Sequence, residues 1–256
     1  MNILVCIKQV PDMESRFSVA GDGTWYDTVD LAWRMNEYDE YGVEQAVCLK
    51  GQTGGDVTVL CIGGDQVKET MKKALAMGCD RGVHIADDNA NTREPLQLAA
   101  IIAEFAKDKN FDVIFTGMQS QDRGSGQVGI LVAEMMTVPA VSTVVDFTYK
   151  DGVVEVKREL EGGVKAGVKV PCPVVITCQL GLNSPRYPTL PNIMKAKRKE
   201  LLSLDVQDFL KREPRQETIR MYYPEKKGGG LVLEGDTTEL AEQLIKILKE
   251  KTTVLV

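Results

Sequence analysis

Through the first half of the chain, short runs of β-branched and aliphatic residues alternate with longer segments in which apolar positions recur every three or four residues. The runs at 2–7, 57–62, 83–86 and 112–116 have the length and near-continuous apolarity of strands buried on both faces. The segments at 39–50, 66–77, 94–107 and 126–136 carry the helical period. Asp65 opens the second of these, and Thr92 is the expected cap of the third. Pro95 falls in that helix's first turn, where its missing N–H is harmless. Strands alternating with crossover helices predict a mostly parallel, doubly wound α/β sheet covered on both faces.

Beyond Pro139 the pattern changes. Runs at 141–149 and 153–160 flank Lys150, Asp151 and Gly152 and read as a hairpin, and 167–170 and 174–178 read as further strands extending the same sheet. Past residue 180 no strand pattern is evident. A segment with three prolines (184–191) runs into a lysine-rich stretch. A short helix at 206–210, three glycines at 228–230 and a final helix over 237–249 follow. The expected division is an α/β domain of the adenine-nucleotide-binding type over 1–182, a proline-stiffened, lysine-rich segment over 183–200, and a carboxyl-terminal arm over 201–256. The arm cannot bury itself well alone and is expected to wrap a partner.

Composition narrows the function. With 256 residues and 43% hydrophobic content the chain can build a real core. A net charge of −6 argues against general affinity for nucleic acid. No apolar run approaches the ~18 residues that span a bilayer, and the opening MNILVCIKQVPD is too short and too soon charged for a signal peptide. The expected setting is the cytoplasm, or the mitochondrial matrix in a eukaryote, without membrane insertion. Six cysteines without a CxxC pair read as reduced and largely buried.

Ligands of open parallel sheets bind beyond the carboxyl ends of the strands, so the loops after the first, second and fourth strands are the places to search. The richest is GMQSQDRGSGQVG, residues 117–129. It contains GxGxxG at Gly124, Gly126 and Gly129, with Asp146 at the distance of a ribose-binding acid. That match is a decoy. A dinucleotide fingerprint occupies a tight first turn, and here the first strand ends in KQVPD, without glycine. The loop nonetheless suits an anion: glycines let backbone N–H groups approach a phosphate, Ser125 and Gln127 add side-chain hydrogen bonds, and the following helix presents its positive end. The alternative is that the glycines only pack the loop against the sheet. No GxxxxGK[ST] is present, so binding is expected rather than hydrolysis. His84 is the only histidine and lies inside a strand run, and neither GxSxG nor HExxH occurs.

Several stretches together resemble the β subunit of the electron-transfer flavoproteins. They are Lys8 to Asp12 (KQVPD), Asn36 to Ala46 (NEYDEYGVEQA), Ala74 to Gly82 (ALAMGCDRG), the loop from Gly117 to Gly129, Arg158 to Gly163 (RELEGG), Pro173 to Val175, and Asn183 to Lys197 (NSPRYPTLPNIMKAK). The resemblance implies an electron carrier rather than an enzyme. It would work as a heterodimer with an α subunit that holds most of a redox-active FAD, taking electrons from acyl-CoA dehydrogenases and related flavoenzymes to a membrane quinone oxidoreductase. It further implies a structural AMP held by Cys6, Asn36, Ile62, Gly117, Gln119, Asp122, Arg123, Gly124, Ser125, Gly126, Gln127 and Val128. Pro11, Asp12 and Met13 would lie toward the partner's FAD, and Leu190, Pro191, Ile193, Met194 and Lys195 would dock on the dehydrogenase. The small residue Gly126 before Gln-Val-Gly leans toward an electron-bifurcating class with a second FAD in place of AMP, which is the alternative. Further alternatives are an NAD-dependent dehydrogenase built on the literal GxGxxG and a stand-alone ATP-binding sensor of the universal-stress type.

Overall fold

A computed structural model describes residues 1–225 and 228–253. The chain falls into two units, Met1–Met221 and a second from Tyr222 onward. The first unit is built on a nine-stranded sheet. In chain order its elements are β1 (Asn2–Ile7), the short pair β2 (Gln9–Pro11) and β3 (Trp33–Met35), α1 (Glu37–Thr53), β4 (Asp56–Gly63), α2 (Val67–Met77) and β5 (Arg81–Ala86). There follow α3 (Pro95–Ala106), β6 (Val113–Gly117), α4 (Val128–Met136), β7 (Ala140–Lys150), β8 (Val153–Glu159), β9 (Lys165–Pro171), β10 (Val174–Cys178), α5 (Leu190–Ala196) and β11 (Leu201–Asp205).

The sheet order is β11-β5-β4-β1-β6-β10-β7-β8-β9. It is parallel from β11 to β7, and β8 and β9 then run antiparallel as the expected hairpin extension. Alternation along β1 sends Ile3, Val5 and Ile7 into one core with residues of α1 and α2, and Leu4 into a second core with residues of α3 and α4. Both faces of the central strands are therefore covered, which is why those strands read as continuous apolar runs.

Local chemistry sets the helix ends. Asn36 stands at the amino end of α1, which stops at Gly54 (φ 69°), whose N–H bonds Lys50 O. Glu94, in extended conformation, is the residue before α3; Thr92, the expected cap, instead closes a turn by bonding Asn89 O. The fourth helix starts at Val128, two residues later than its apolar period suggests, because Gly124 (φ 60°) and Gly126 (φ 63°) hold left-handed turns before it.

The expectation of no strand beyond residue 180 is corrected by β11, which adds to the sheet edge in parallel with β5. Leu201 and Leu204 are half-buried while Leu202 and Ser203 face outward, so the run carries little apolar signal. His84 fastens it: its ring Nε2–H donates to Gly63 O (2.7 Å), which leaves Nδ1 to accept from Ser203 Oγ (2.9 Å). The sole histidine is thus a buried strut. All six cysteines are free. Among the described residues no helix is long and apolar enough to cross a membrane, and no group of side chains could hold a metal. In the second unit, α6 (Thr237–Lys251) opens with a capping box between Asp236 and Glu239 and leaves Leu244 and Ile245 about half exposed.

Candidate functional site

The connection reverses direction between β1 and β6. From β1 the chain builds outward through β4 and β5, then returns to place β6 on the other side. A cleft opens beyond the carboxyl ends of the strands at this switch point, as the geometry of doubly wound sheets requires. Its floor is Cys6, Leu60, Ile62 and Thr116; one wall is the loop from Gly117 to Val128, and the other is formed by Ala90, Asn91, Arg93, Pro95, Leu98 and Ile102. The space between these walls is ≈ 870 Å³ when the open solvent at its mouth is included.

Asn36 organises the loop rather than facing the cleft with free groups. Its Nδ2 donates to Gln119 O (2.9 Å) and Asp39 Oδ1 (3.0 Å), and its Oδ1 accepts from Gln121 N (3.0 Å). Gln119 Nε2 donates to Tyr38 Oη and Gln121 Nε2 to Glu37, so the start of α1 grips residues 119–121 at several points. Gly117 lies where this joint is tightest. A Cβ there would stand 2.2 Å from Asp39 Oδ1 and 2.9 Å from Tyr38 Cβ. Gly129 likewise packs α4 against Thr116 and Thr177.

The cations around the cleft are already engaged. Lys8 Nζ binds both oxygens of Asp122 at 2.6 and 2.7 Å, with the Asp122 side chain only 2% exposed. Arg93 pairs with Asp87, and Arg123 Nη1 donates to Asn91 O and Arg93 O. What remains free is a run of donors. The N–H groups from Ser125 to Ile130 and the side chains of Ser125 and Gln127 bond no acceptor among the described residues, and α4 has no side-chain cap. Burial pushes the Cys6 thiol well up, so it lines the floor as a small apolar group. A phosphate at the start of α4 with a planar apolar group over Cys6 and Ile62 fits this arrangement.

Asp39 has a consequence for pH. Burial pushes its carboxyl up to about 7, opposed by the hydrogen bonds it accepts from Asn36, Lys8 N and Gly117 N. A folded pKa above the unfolded one means the folded state holds the proton more tightly, so this contribution to stability is full below about pH 4 and is lost as pH rises through 7. The urea midpoint should therefore fall between pH 5 and pH 8 by more in the native protein than in Asp39→Asn. Equal slopes would exclude Asp39 as the source.

Of the twelve residues expected at a nucleotide, ten line the cleft. Asp122 and Gly124 do not: the first turns to Lys8, and the second makes the turn behind the wall with its N–H on Ser120 O. The wall formed by residues 90–102 escaped sequence reasoning, which searched the loops after strands one, two and four and omitted the third. Pro11, Asp12 and Met13 lie outside the cleft, at the base of an excursion from Asp12 to Ala32 that is closed by Asp12 N donating to Ala32 O. Asp146, in the hairpin, pairs with Lys157.

The segment over 183–200, expected to dock on a partner, is strapped at both ends. Arg186 forks onto Glu44 (2.7 Å twice) and Asn183 Nδ2 donates to Tyr41 O, while Lys199 Nζ holds Leu75 O and Cys79 O at the end of α2. Between the anchors, Thr189 caps α5, and Leu190 is 73% and Met194 55% exposed, with Pro191, Ile193 and Lys195 also outward.

Fold and cleft define a doubly wound α/β protein with an open cleft at its switch point. A family model described as electron transfer flavoprotein domain matches residues 24–209. Proteins named electron transfer flavoprotein subunit beta are similar over nearly the whole length. The one from Bacillus subtilis (strain 168) is 35% identical with all of both chains covered, that from Methylophilus methylotrophus 35% with 98% of each, and that from Mus musculus 33% with 98% of this chain and 97% of the other. The chain belongs to the electron transfer flavoprotein family, as a beta subunit.

Proposed function

We propose that this chain is the β half of a heterodimeric electron carrier, binds AMP in the switch-point cleft, and helps enclose an FAD held mainly by an α subunit. The observation that carries the AMP assignment is the row of unpartnered N–H groups that begins at Ser125, whose first four residues, Ser125 to Val128, line an apolar cleft. The chain supplies binding and orientation: Asn36 and Gly117 hold the loop, and Cys6, Ile62 and Val128 receive the base. FAD supplies the redox chemistry. Pro11, Asp12 and Met13 face that partner flavin, and α6 lays its apolar stripe on the α subunit. Electrons come from acyl-CoA dehydrogenases or related flavoenzymes and leave to a membrane quinone oxidoreductase, in the cytoplasm or the mitochondrial matrix.

A second reading, an electron-bifurcating carrier with FAD in the cleft, is favoured by the open surroundings of Gly126, where a Cβ would meet only Met118 O at 3.7 Å. Chromatography of the nucleotides released on denaturing the heterodimer separates the two. One FAD and one AMP support the first reading, two FAD the second, and a single FAD with no other nucleotide overturns both assignments of the cleft.

The strapped tip from Leu190 to Lys195 docks on the electron donor. An exposed apolar anchor on preordered backbone loses little entropy on binding. Leu190→Ala should leave flavin content unchanged and stability within about 0.5 kcal/mol, while slowing reduction by the dehydrogenase. Unchanged reduction kinetics would refute the docking role.

A further inference from the structure

The excursion between β2 and β3 is not a loose loop. Ala20 N donates to Trp25 O and Asp27 N to Ser18 O, and Val19 bridges Tyr26, which makes a small hairpin. Its aromatic residues touch in series: Phe17 meets Tyr26 edge to face at 5.6 Å, and Tyr26 lies tilted against Trp25 at 4.8 Å between ring centroids. Tyr26 is 7% exposed although no residue of this hairpin lines the cleft.

The series ends on Arg123, whose guanidinium lies 5.3 Å from the centre of the Trp25 ring, a cation–π distance. The same guanidinium donates to Asn91 O at 3.2 Å and Arg93 O at 2.6 Å in the opposite wall. One side chain therefore joins three segments far apart in sequence: the hairpin, the loop after β5 and the loop after β6. Arg123 also stands two residues before Ser125, where the unpartnered N–H groups begin, and Gly124, between them, makes a left-handed turn.

Resting on the nucleotide assignment above, we propose that Arg123 is a positioning residue that couples occupancy of the cleft to the order of the hairpin at residues 14–31. A phosphate bound to the N–H groups of Ser125 to Val128 fixes the loop from Gly117 to Val128 and with it the guanidinium that the hairpin stacks upon. With the donors unpaired the loop gains freedom and the hairpin loosens. Such coupling is reciprocal: whatever loosens the hairpin must weaken the nucleotide by the same factor. Since Asp12 and Met13 form the hairpin's base, the cleft's ligand would set the shape of the surface assigned above to the partner's flavin.

The test uses the heterodimer, first assayed for nucleotide after denaturation, then stripped by partial unfolding and refolded with no nucleotide, with AMP, or with FAD. Amide hydrogen exchange across 14–31 should be at least several-fold faster in the stripped protein and restored by whichever probe binds. Trp25→Ala, which removes a side chain outside the cleft, should lower affinity for that probe by about fivefold or more. Arg123→Ala should speed exchange across 14–31 even with the probe saturating. If nucleotide is present and either the exchange of 14–31 or the affinity of Trp25→Ala is unchanged, the coupling is overturned while the nucleotide assignment stands. If no nucleotide beyond the partner's FAD is found or rebound, both fall.

Discussion

Gly117→Ala is expected to destabilise the protein by about 3 kcal/mol, the upper end of overpacking costs, and to abolish the nucleotide binding proposed for the cleft. The added methyl would stand 2.2 Å from Asp39 Oδ1, 2.9 Å from Tyr38 Cβ and 3.1 Å from Asn36 Nδ2. None of these can retreat. Asp39 accepts from Asn36, Lys8 N and Gly117 N, and Asn36 is committed to Gln119 O and Gln121 N. Relief requires the loop to lift from α1, which displaces the donors that follow. Gly124→Ala is the control: only Gln119 Oε1 lies within reach of its Cβ, at 3.9 Å, so the cost is that of a left-handed alanine, about 1–2 kcal/mol. Urea unfolding and nucleotide content would be measured on both. A Gly117→Ala protein as stable and as loaded as the native one would remove the loop joint from the account.

Lys8→Met should cost about 3 kcal/mol or more, because it leaves the carboxylate of Asp122 buried without its cation. Lys8 is itself partly buried, and burial lowers its pKa although the neighbouring Asp122 pulls the other way. The pair therefore gains little net energy over apolar residues while being costly to break from one side. The double variant Lys8→Met/Asp122→Leu should recover most of the loss, giving a coupling energy that single substitutions at distant sites do not show. Additive losses would mean that the two groups act separately and that the end of β1 is not tied to the loop through this pair.

Much of the molecule is legible before folding. The runs at β1, β4, β6 and β10 are apolar enough to demand burial on both faces, and the helices between them carry the helical period. The loop from Gly117 to Gly129 announces itself through glycines whose purposes differ in the structure: close approach at Gly117, left-handed turns at Gly124 and Gly126, and packing of α4 at Gly129. β11 was hidden because its sequence, LLSLD, is short and half exposed, so its conformation comes from pairing with β5 rather than from its own pattern. The wall at Asn91 to Ile102 was hidden because nothing in those residues names a ligand until the sheet twist brings them opposite the loop.

The amino-acid sequence by itself determined most of the strands and helices, β11 excepted, and that the sheet would be mostly parallel and doubly wound. Those properties depend on local period, hydrophobicity and backbone freedom. Only the tertiary structure decided which charges are spent and which donors stay free. Lys8 meets Asp122 across 114 positions, and Arg186 meets Glu44 across 142. Arg123 is held by Asn91 O, Arg93 O and the Trp25 ring, three partners that its place in the chain does not announce. Pairings of this kind depend on distance in space, which sequence separation does not encode.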